Sequence, residues 1–366
     1  MDLKKDQISR IKIAGYKSIK NCDLEFGRCN VLIGSNGAGK SNFISAFTML
    51  QNILSKNFQL FIATRGVNSL FYNGIKETDE ITLEAFFGEN SYGFNLIPTD
   101  DNRIIFKKEY FGYHGAWNND SVVAYGNAES KWDEGVNNRI DEYVIPILER
   151  QKWRVYHFHD TGQRAKVKQE HNVSNNEVMN NDASNLAAFL YRLEQYYNKN
   201  YKEIVRAVQI VAPYFMDFVL RPSEGNKEKI VLRWRQKGSE DILNASQLSD
   251  GTLRFICLAT LFLQPKELQP ATIIVDEPEL GLHPFAINIF ADIVRKASQE
   301  KQIILSTQSV ELLTEFDVED IIVVDQGENG SNFKRLDEEE LRVWLEEDYA
   351  LGELWKKNLL GVRLSR

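Results

Sequence analysis

The chain has 366 residues, 43% of them hydrophobic, which is enough core for one large domain or two. A formal net charge of −8 excludes a generally basic nucleic-acid coat, while leaving room for a local basic face. Three cysteines (Cys22, Cys29, Cys257) are too few and too scattered for a disulfide framework or a zinc site. The first residues lack the apolar run of a secretory leader. The longest largely apolar run, Phe255 to Leu263, is far short of the roughly 20 residues of a membrane span, so the expected location is cytoplasmic, with no membrane partner.

Ile8, Ile11 and Ile13 suggest a first strand, which Gly15-Tyr16-Lys17-Ser18 turns into a second ending at Leu24-Glu25-Phe26. The apolar run Asn30-Val31-Leu32-Ile33 then reads as a buried strand. It leads into Gly34-Ser35-Asn36-Gly37-Ala38-Gly39-Lys40-Ser41, followed by Asn42, a fit to G-x-x-x-x-G-K-[ST] at every fixed position. Phe43, Ala46, Phe47 and Leu50 recur at the spacing of one helix face. Strand, glycine loop and helix in this order aim a helix N-terminus at phosphates. The glycines let successive N–H groups point inward, Lys40 reaches the β- and γ-phosphates, and the Ser41 hydroxyl suits Mg²⁺. The expected ligand is a nucleoside triphosphate, taken as ATP, with Mg²⁺.

Between residues 61 and 113 the pattern changes to Ile81–Phe87, Tyr92–Ile97 and Arg103–Phe106, strand-like runs with turn residues between them, which predicts an antiparallel meander. Gly112 to Gly135 reads as a loop. Ile140 to Leu148 reads as a short helix whose second half Pro146 disfavours. Trp153 to His159 alternates like a strand, and the Asn-rich stretch Asp160 to Asp182 reads as an exposed, mobile connection. Two helices are expected over Leu186–Tyr197 and Tyr201–Val211, then a hairpin pairing Phe218–Arg221 with Lys229–Arg235. The last third alternates strands and helices: Thr252–Leu263 helix, Thr272–Val275 strand, Phe285–Ala297 helix, Gln302–Leu305 strand, Val310–Phe316 helix and Ile321–Val324 strand. A charged helical tail, Glu338 to Leu359, has Trp344 and Trp355 to bury, and no heptad run is long enough for a coiled coil.

The strand at Thr272 runs into Asp276-Glu277. An Asp at a strand's carboxyl end suits Mg²⁺, and the adjacent Glu is placed to orient or deprotonate water. With the phosphate loop, this resembles the ABC-type ATPases of the RecF, SMC and OLD-nuclease group, over roughly residues 8–60 and 240–325. Leu248-Ser249-Asp250-Gly251-Thr252 is similar to that group's signature, usually Leu-Ser-x-Gly, which implies that Ser249, Asp250 and Gly251 meet the γ-phosphate of ATP held by an opposite subunit. Asp276-Glu277-Pro278-Glu279-Leu280-Gly281-Leu282-His283-Pro284 is similar to the acidic motif of the OLD-like branch. His283 stands where transporter motors usually carry Asp, and the analogy puts it at the subunit boundary, beside the plainer reading of a helix-entry residue. Gln308 replaces the common switch His. It can hydrogen-bond but cannot carry a proton in the same way, which leaves Glu277 as the base, with Lys40 and Gln308 completing the catalytic set. Gln163 is a substitute for the family's glutamine loop, and Lys17 resembles a basic residue placed near nucleotide or DNA. His157, His159 and Asp160 lack a further metal ligand at useful spacing. Arg233 and Arg235, with Lys227 and Lys229 nearby, read as either a DNA path or a solvated face.

The resemblance implies an α/β fold: an ABC-type ATPase head with a mixed or parallel nucleotide-binding sheet, an antiparallel β lobe and a short helical insert, without a long coiled coil. The expected division is 1–60 with 217–366 as the ATPase core, 61–150 as the β lobe and 151–216 as the helical insert. It also implies ATP hydrolysis and an ATP-dependent head-to-tail homodimer or higher oligomer. The signature lies about twice as far from the phosphate loop as in transporter motors. No D-x-D cluster marks the tail. The layout is similar to stand-alone ATPases of anti-phage defence systems that act with a separate nuclease or effector; the alternative is a RecF-like DNA-repair clamp.

Overall fold

The computed structural model describes residues 3–115, 118–134, 140–149, 153–337, 339 and 351–357. The chain divides into two compact units, Met1–Val155 with Asp317–Arg366, and Tyr156–Phe316. In chain order the elements are β1 (Arg10–Tyr16), β2 (Ile19–Glu25), β3 (Cys29–Ile33), α1 (Lys40–Leu54), α2 (Phe58–Arg65), β4 (Ile81–Phe87), β5 (Asn90–Pro98), β6 (Ile104–His114), β7 (Asn118–Ala124), α3 (Asp141–Glu149) and β8 (Trp153–Tyr156). They continue as β9 (His171–Asn172), α4 (Leu186–Tyr196), α5 (Asn198–Val211), β10 (Phe215–Phe218), β11 (Pro222–Ser223), β12 (Asn226–Ile230), β13 (Arg233–Gln236), β14 (Ile242–Asn244) and α6 (Asp250–Leu263). The rest are β15 (Thr272–Asp276), α7 (Pro284–Ser298), β16 (Gln302–Thr307), α8 (Val310–Leu313), β17 (Ile321–Gly327), β18 (Gly330–Arg335) and α9 (Leu351–Lys356).

In the first unit, β2-β1-β4-β5-β6-β7 form one antiparallel sheet, so the meander is larger than expected and takes in the two N-terminal strands. The stretch expected as a loop after residue 112 instead lengthens β6 and adds β7, a polar strand made by backbone pairing rather than by any hydrophobic alternation. Pro146 sits within α3, which runs on past it. A separate layer pairs β3 parallel with β17, and β18 lies antiparallel on β17. Helix α1 packs there through Phe43, whose ring lies 4.9 Å from Phe333 and 5.5 Å from Phe47. Burial of such rings, each worth about 2–3 kcal/mol, holds the helix that the phosphate loop opens.

The second unit carries a parallel pair, β15 with β16, followed on either side in sequence by helices. The expected hairpin of residues 218–235 is split. β10, β13 and β14 make one small sheet, while β11, β12 and β9 make another. Asp160–Asp182 is not a loose connection: His157 N–H donates to Asn181 O at 2.9 Å, and the Asn185 amide donates to the carbonyls of Asn175 and Val178 at 2.9 and 2.8 Å. Asparagine side chains substitute here for a backbone ladder, which composition alone does not reveal. Of the tail, Trp355 is half-buried in α9, and Trp344 lies outside the described residues.

Candidate functional site

The phosphate loop of the first unit joins β3 to α1, with Gly39 as N-cap in the left-handed region at φ 115°. Two of its glycines are required by neighbours. A Cβ on Gly34 would lie 2.3 Å from Val324 O, and one on Gly39 would lie 2.0 Å from Ser331 Oγ. β17 and β18 thus press directly on the loop. Lys40 is buried, and its ammonium donates to Gly34 O at 2.7 Å and Ser35 O at 3.1 Å, which curls the side chain over the loop. Ser35, Asn36 and Gly37 are at least partly open to solvent, as is Ser41, while Ala38 is buried beneath them. Asn42 donates to Ser18 Oγ at 2.8 Å, which ties α1 to the turn before β2.

Beside Asn42 opens a cavity of about 820 Å³ whose lining includes Lys17, Ser18, Arg65, Tyr72, Asn73 and Gln326. Lys17 adopts a left-handed backbone (φ 48°), and burial followed by the charge of Arg65 pushes its ammonium pKa down. Two cations held this near one another favour an anionic ligand. Lys17 was visible as a candidate in the sequence. Arg65 was not, because it lies at the end of α2 with no motif around it.

In the second unit, β15 ends at Asp276, which is 7% exposed and whose Oδ1 is buried without a hydrogen-bond partner. An orphaned carboxylate oxygen of this kind fits a hard divalent cation such as Mg²⁺. Glu277 follows in the left-handed region at φ 44°, unusual for a residue with a Cβ. Its N–H donates to Ser306 O at 2.8 Å, and its Oε1 accepts from the Gln308 amide. Gln308 N–H in turn donates to Glu279 Oε1 at 3.0 Å. Burial pushes the Glu279 carboxyl pKa up. The two strand ends thus bring Glu277 and Gln308 into direct contact.

Ser249 caps α6: its Oγ accepts from Thr252 N–H at 3.2 Å and lies 2.8 Å from Thr252 Oγ1. A Cβ on Gly251 would stand 2.4 Å from Gly281 O, so the signature turn and the acidic loop touch backbone to backbone. His283 is the N-cap of α7, and its Nδ1 accepts from Phe285 N–H at 3.3 Å, the role of a helix-entry residue. Arg254, on α6, is buried and donates through Nε to Phe158 O at 2.9 Å and through Nη2 to His159 O at 3.0 Å. His159 Nε2 lies 2.9 Å from Asp276 O, and because a carbonyl only accepts, that nitrogen carries the proton. His159 thus braces the backbone of Asp276, both His157 and His159 are exposed, and no cluster of three or more His, Cys, Asp or Glu suited to a metal occurs among the described residues. Gln163 is exposed in a turn. Arg233 and Arg235 share one face of β13 with Trp234 buried opposite, whereas Lys227 and Lys229 lie on β12 in the other small sheet.

The sequence profile of the family described as "AAA domain, putative AbiEii toxin, Type IV TA system" matches residues 29–314, well over half of the chain. The chain belongs to this AAA-domain family. Over 89% of its length it is 23% identical to the Old nuclease of Escherichia phage P2, and it spans 60% of that nuclease. Two solved SMC heads share its fold. One, bound to the C-winged helix domain of ScpA, is 15% identical with a TM-score of 0.58, covering 92% of this chain and 99% of the head. The other, from Pyrococcus furiosus with an extended coiled coil and the C-terminal domain of ScpA, is 14% identical with a TM-score of 0.55, covering 93% and 99%. This AAA-domain protein shares the α/β fold of those SMC heads and is similar to an Old nuclease, with no long coiled coil among the described residues. Family and fold point to nucleotide binding and ATP hydrolysis, and no described helix is long and apolar enough to cross a membrane.

Proposed function

We propose that the chain is an ATPase that dimerises head to tail around ATP and works with a separate nuclease or effector in anti-phage defence. The observation that carries the hydrolytic reading is Glu277, held at φ 44° with its carboxylate against Gln308 at the end of the acidic strand. A strained backbone that aims a carboxylate, steadied by an amide that cannot take its proton, suits a general base. In this reading Lys40 and the amides of residues 34–41 bind the phosphates, while Ser41 and Asp276 hold Mg²⁺. Mg²⁺ held there would supply charge neutralisation for the phosphates. Glu277 orients and deprotonates the water, and Gln308 keeps Glu277 in place. Ser249 and the backbone N–H groups of Asp250 and Gly251 reach the γ-phosphate held by a second copy, so that ATP joins the two copies and hydrolysis releases them. The likeness to Old nuclease supports a link to nuclease chemistry.

Glu277→Gln is expected to yield ATP-dependent dimers that persist on a sizing column with light scattering, and Lys40→Ala is expected to lose both ATP binding and dimerisation. A Glu277→Gln protein that stays monomeric with saturating ATP rejects the scheme. A second reading, a DNA-repair clamp, draws on Arg233 and Arg235, whose Nε atoms are buried without partners on one strand face. DNA-stimulated turnover by the chain alone would favour that reading. Turnover altered only by a partner protein would favour the first.

A further inference from the structure

We infer that Lys168 is the cation of the signature half-site: it neutralises Asp250 and presents positive charge to the terminal phosphoryl of a nucleoside triphosphate carried by a second copy. The inference rests on the ATP-joined dimer proposed above. It starts from an oddity of charge. Asp250 sits at the first position of α6, one residue after the Ser249 cap, with its carboxylate 65% exposed. Among the described residues, the N–H groups of Asp250 and Gly251 have no protein acceptor, as expected at a helix start. These N–H donors and the positive end of a 14-residue helix would draw a phosphoryl group, whereas a carboxylate at that position would repel it.

Lys168 resolves the conflict. It comes from the Asn-rich stretch more than eighty residues earlier, and ends the 3-10 turn Lys166–Lys168. Its side chain is only 7% exposed, unusual for lysine, so its stem is fixed and its head delivered to one place. The ammonium donates to Thr161 O at 2.5 Å and to Asp250 Oδ1 at 3.3 Å. An ammonium has three donors, so one remains for an anion arriving at the helix start. Arg254, the other cation of this helix turn, directs its Nε and Nη2 to the carbonyls of Phe158 and His159. Lys168 is thus the cation committed to Asp250.

The test measures ATP-dependent dimer affinity by analytical ultracentrifugation in a Glu277→Gln parent, alone and with Lys168→Met, Asp250→Asn or both. Lys168→Met is expected to weaken the dimer at least tenfold, Asp250→Asn to leave it equal or tighter, and the double variant to recover part of the loss. Binding of a fluorescent ATP analogue to each variant's own phosphate loop should stay within twofold of the parent, since Lys168 acts on the other copy's nucleotide. Lys168→Arg should retain the dimer. A Lys168→Met dimer within twofold of the parent overturns the inference, and so does a double variant no better than Lys168→Met, the result expected of a lysine that only props Thr161. If Lys168→Met does not fold, Asp250→Asn decides alone, and a weaker dimer there refutes the charge argument. A parent that stays monomeric with ATP removes the dimer reading and this inference together, an outcome distinct from loss in Lys168→Met alone.

Discussion

The backbone of Glu277 offers a test that separates strain from chemistry. At φ 44° a residue with a Cβ sits in the left-handed region, which costs about 1–2 kcal/mol that glycine avoids. Glu277→Ala and Glu277→Gly both delete the carboxylate and its hydrogen bond with Gln308, so comparing them cancels those losses. What remains is the relief of strain in the glycine variant, offset by about 0.5–1 kcal/mol for the greater freedom of glycine in the unfolded chain. The glycine variant should therefore be more stable than the alanine variant by about 0.5–1 kcal/mol, although glycine in place of alanine ordinarily destabilises. At about 2–4 °C per kcal/mol for a cooperative unit of 150–250 residues, the melting temperatures should differ by roughly 1–4 °C. Urea unfolding followed by tryptophan fluorescence, without nucleotide, gives the free energy, and steady-state phosphate release should be absent in both variants. An alanine variant as stable as the glycine variant refutes the left-handed geometry. Phosphate release retained in both removes Glu277 as the base.

Two further predictions concern stability. Arg254→Met leaves the buried carbonyl of Phe158 and the part-buried carbonyl of His159 without their donors, at about 1–3 kcal/mol each, partly offset by release of a desolvated guanidinium. A net loss of about 2–4 kcal/mol in urea is expected, about half of it recovered by Arg254→Lys, and a loss under about 1 kcal/mol contradicts the contacts. Burial, reinforced by Asp317, pushes the Asp320 carboxyl up to about 6 from 3.8, so the folded state favours its protonated form. That contribution is complete below about pH 4 and is lost as pH rises through about 6. Asp320→Asn should stabilise at pH 7.5 by about 1–2 kcal/mol, discounted from about 3 because the group is half-exposed, with the gain vanishing near pH 4. A gain independent of pH refutes the assignment.

Much of the architecture was legible because it is written in short-range patterns. The phosphate loop between β3 and α1, the β4 run, the α6 and α7 helices and the strand ending at Asp276 all follow from period and turn chemistry within a dozen or so residues. β7 was not legible, since Asn118–Ala124 owes its extended form to pairing with β6 rather than to side-chain alternation. Nor was the parting of Lys229 from Arg233, which are close in sequence but go to different sheets because β13 pairs with β10 and β14 while β12 pairs with β9.

The order of residues by itself determined the chemistry on offer: glycines and Lys40 for phosphate, Asp276 and Glu277 at a strand end, and Ser249 before a helix. Each is a local device, with donor and backbone freedom encoded side by side. Only the tertiary structure decided which distant groups set those devices to work, with Gln308 on Glu277, His159 and Arg254 behind Asp276, and Lys168 on Asp250. Charge and hydrogen bonding act through space over a few ångströms, and residues far apart along the chain come within that range only when packing brings them together.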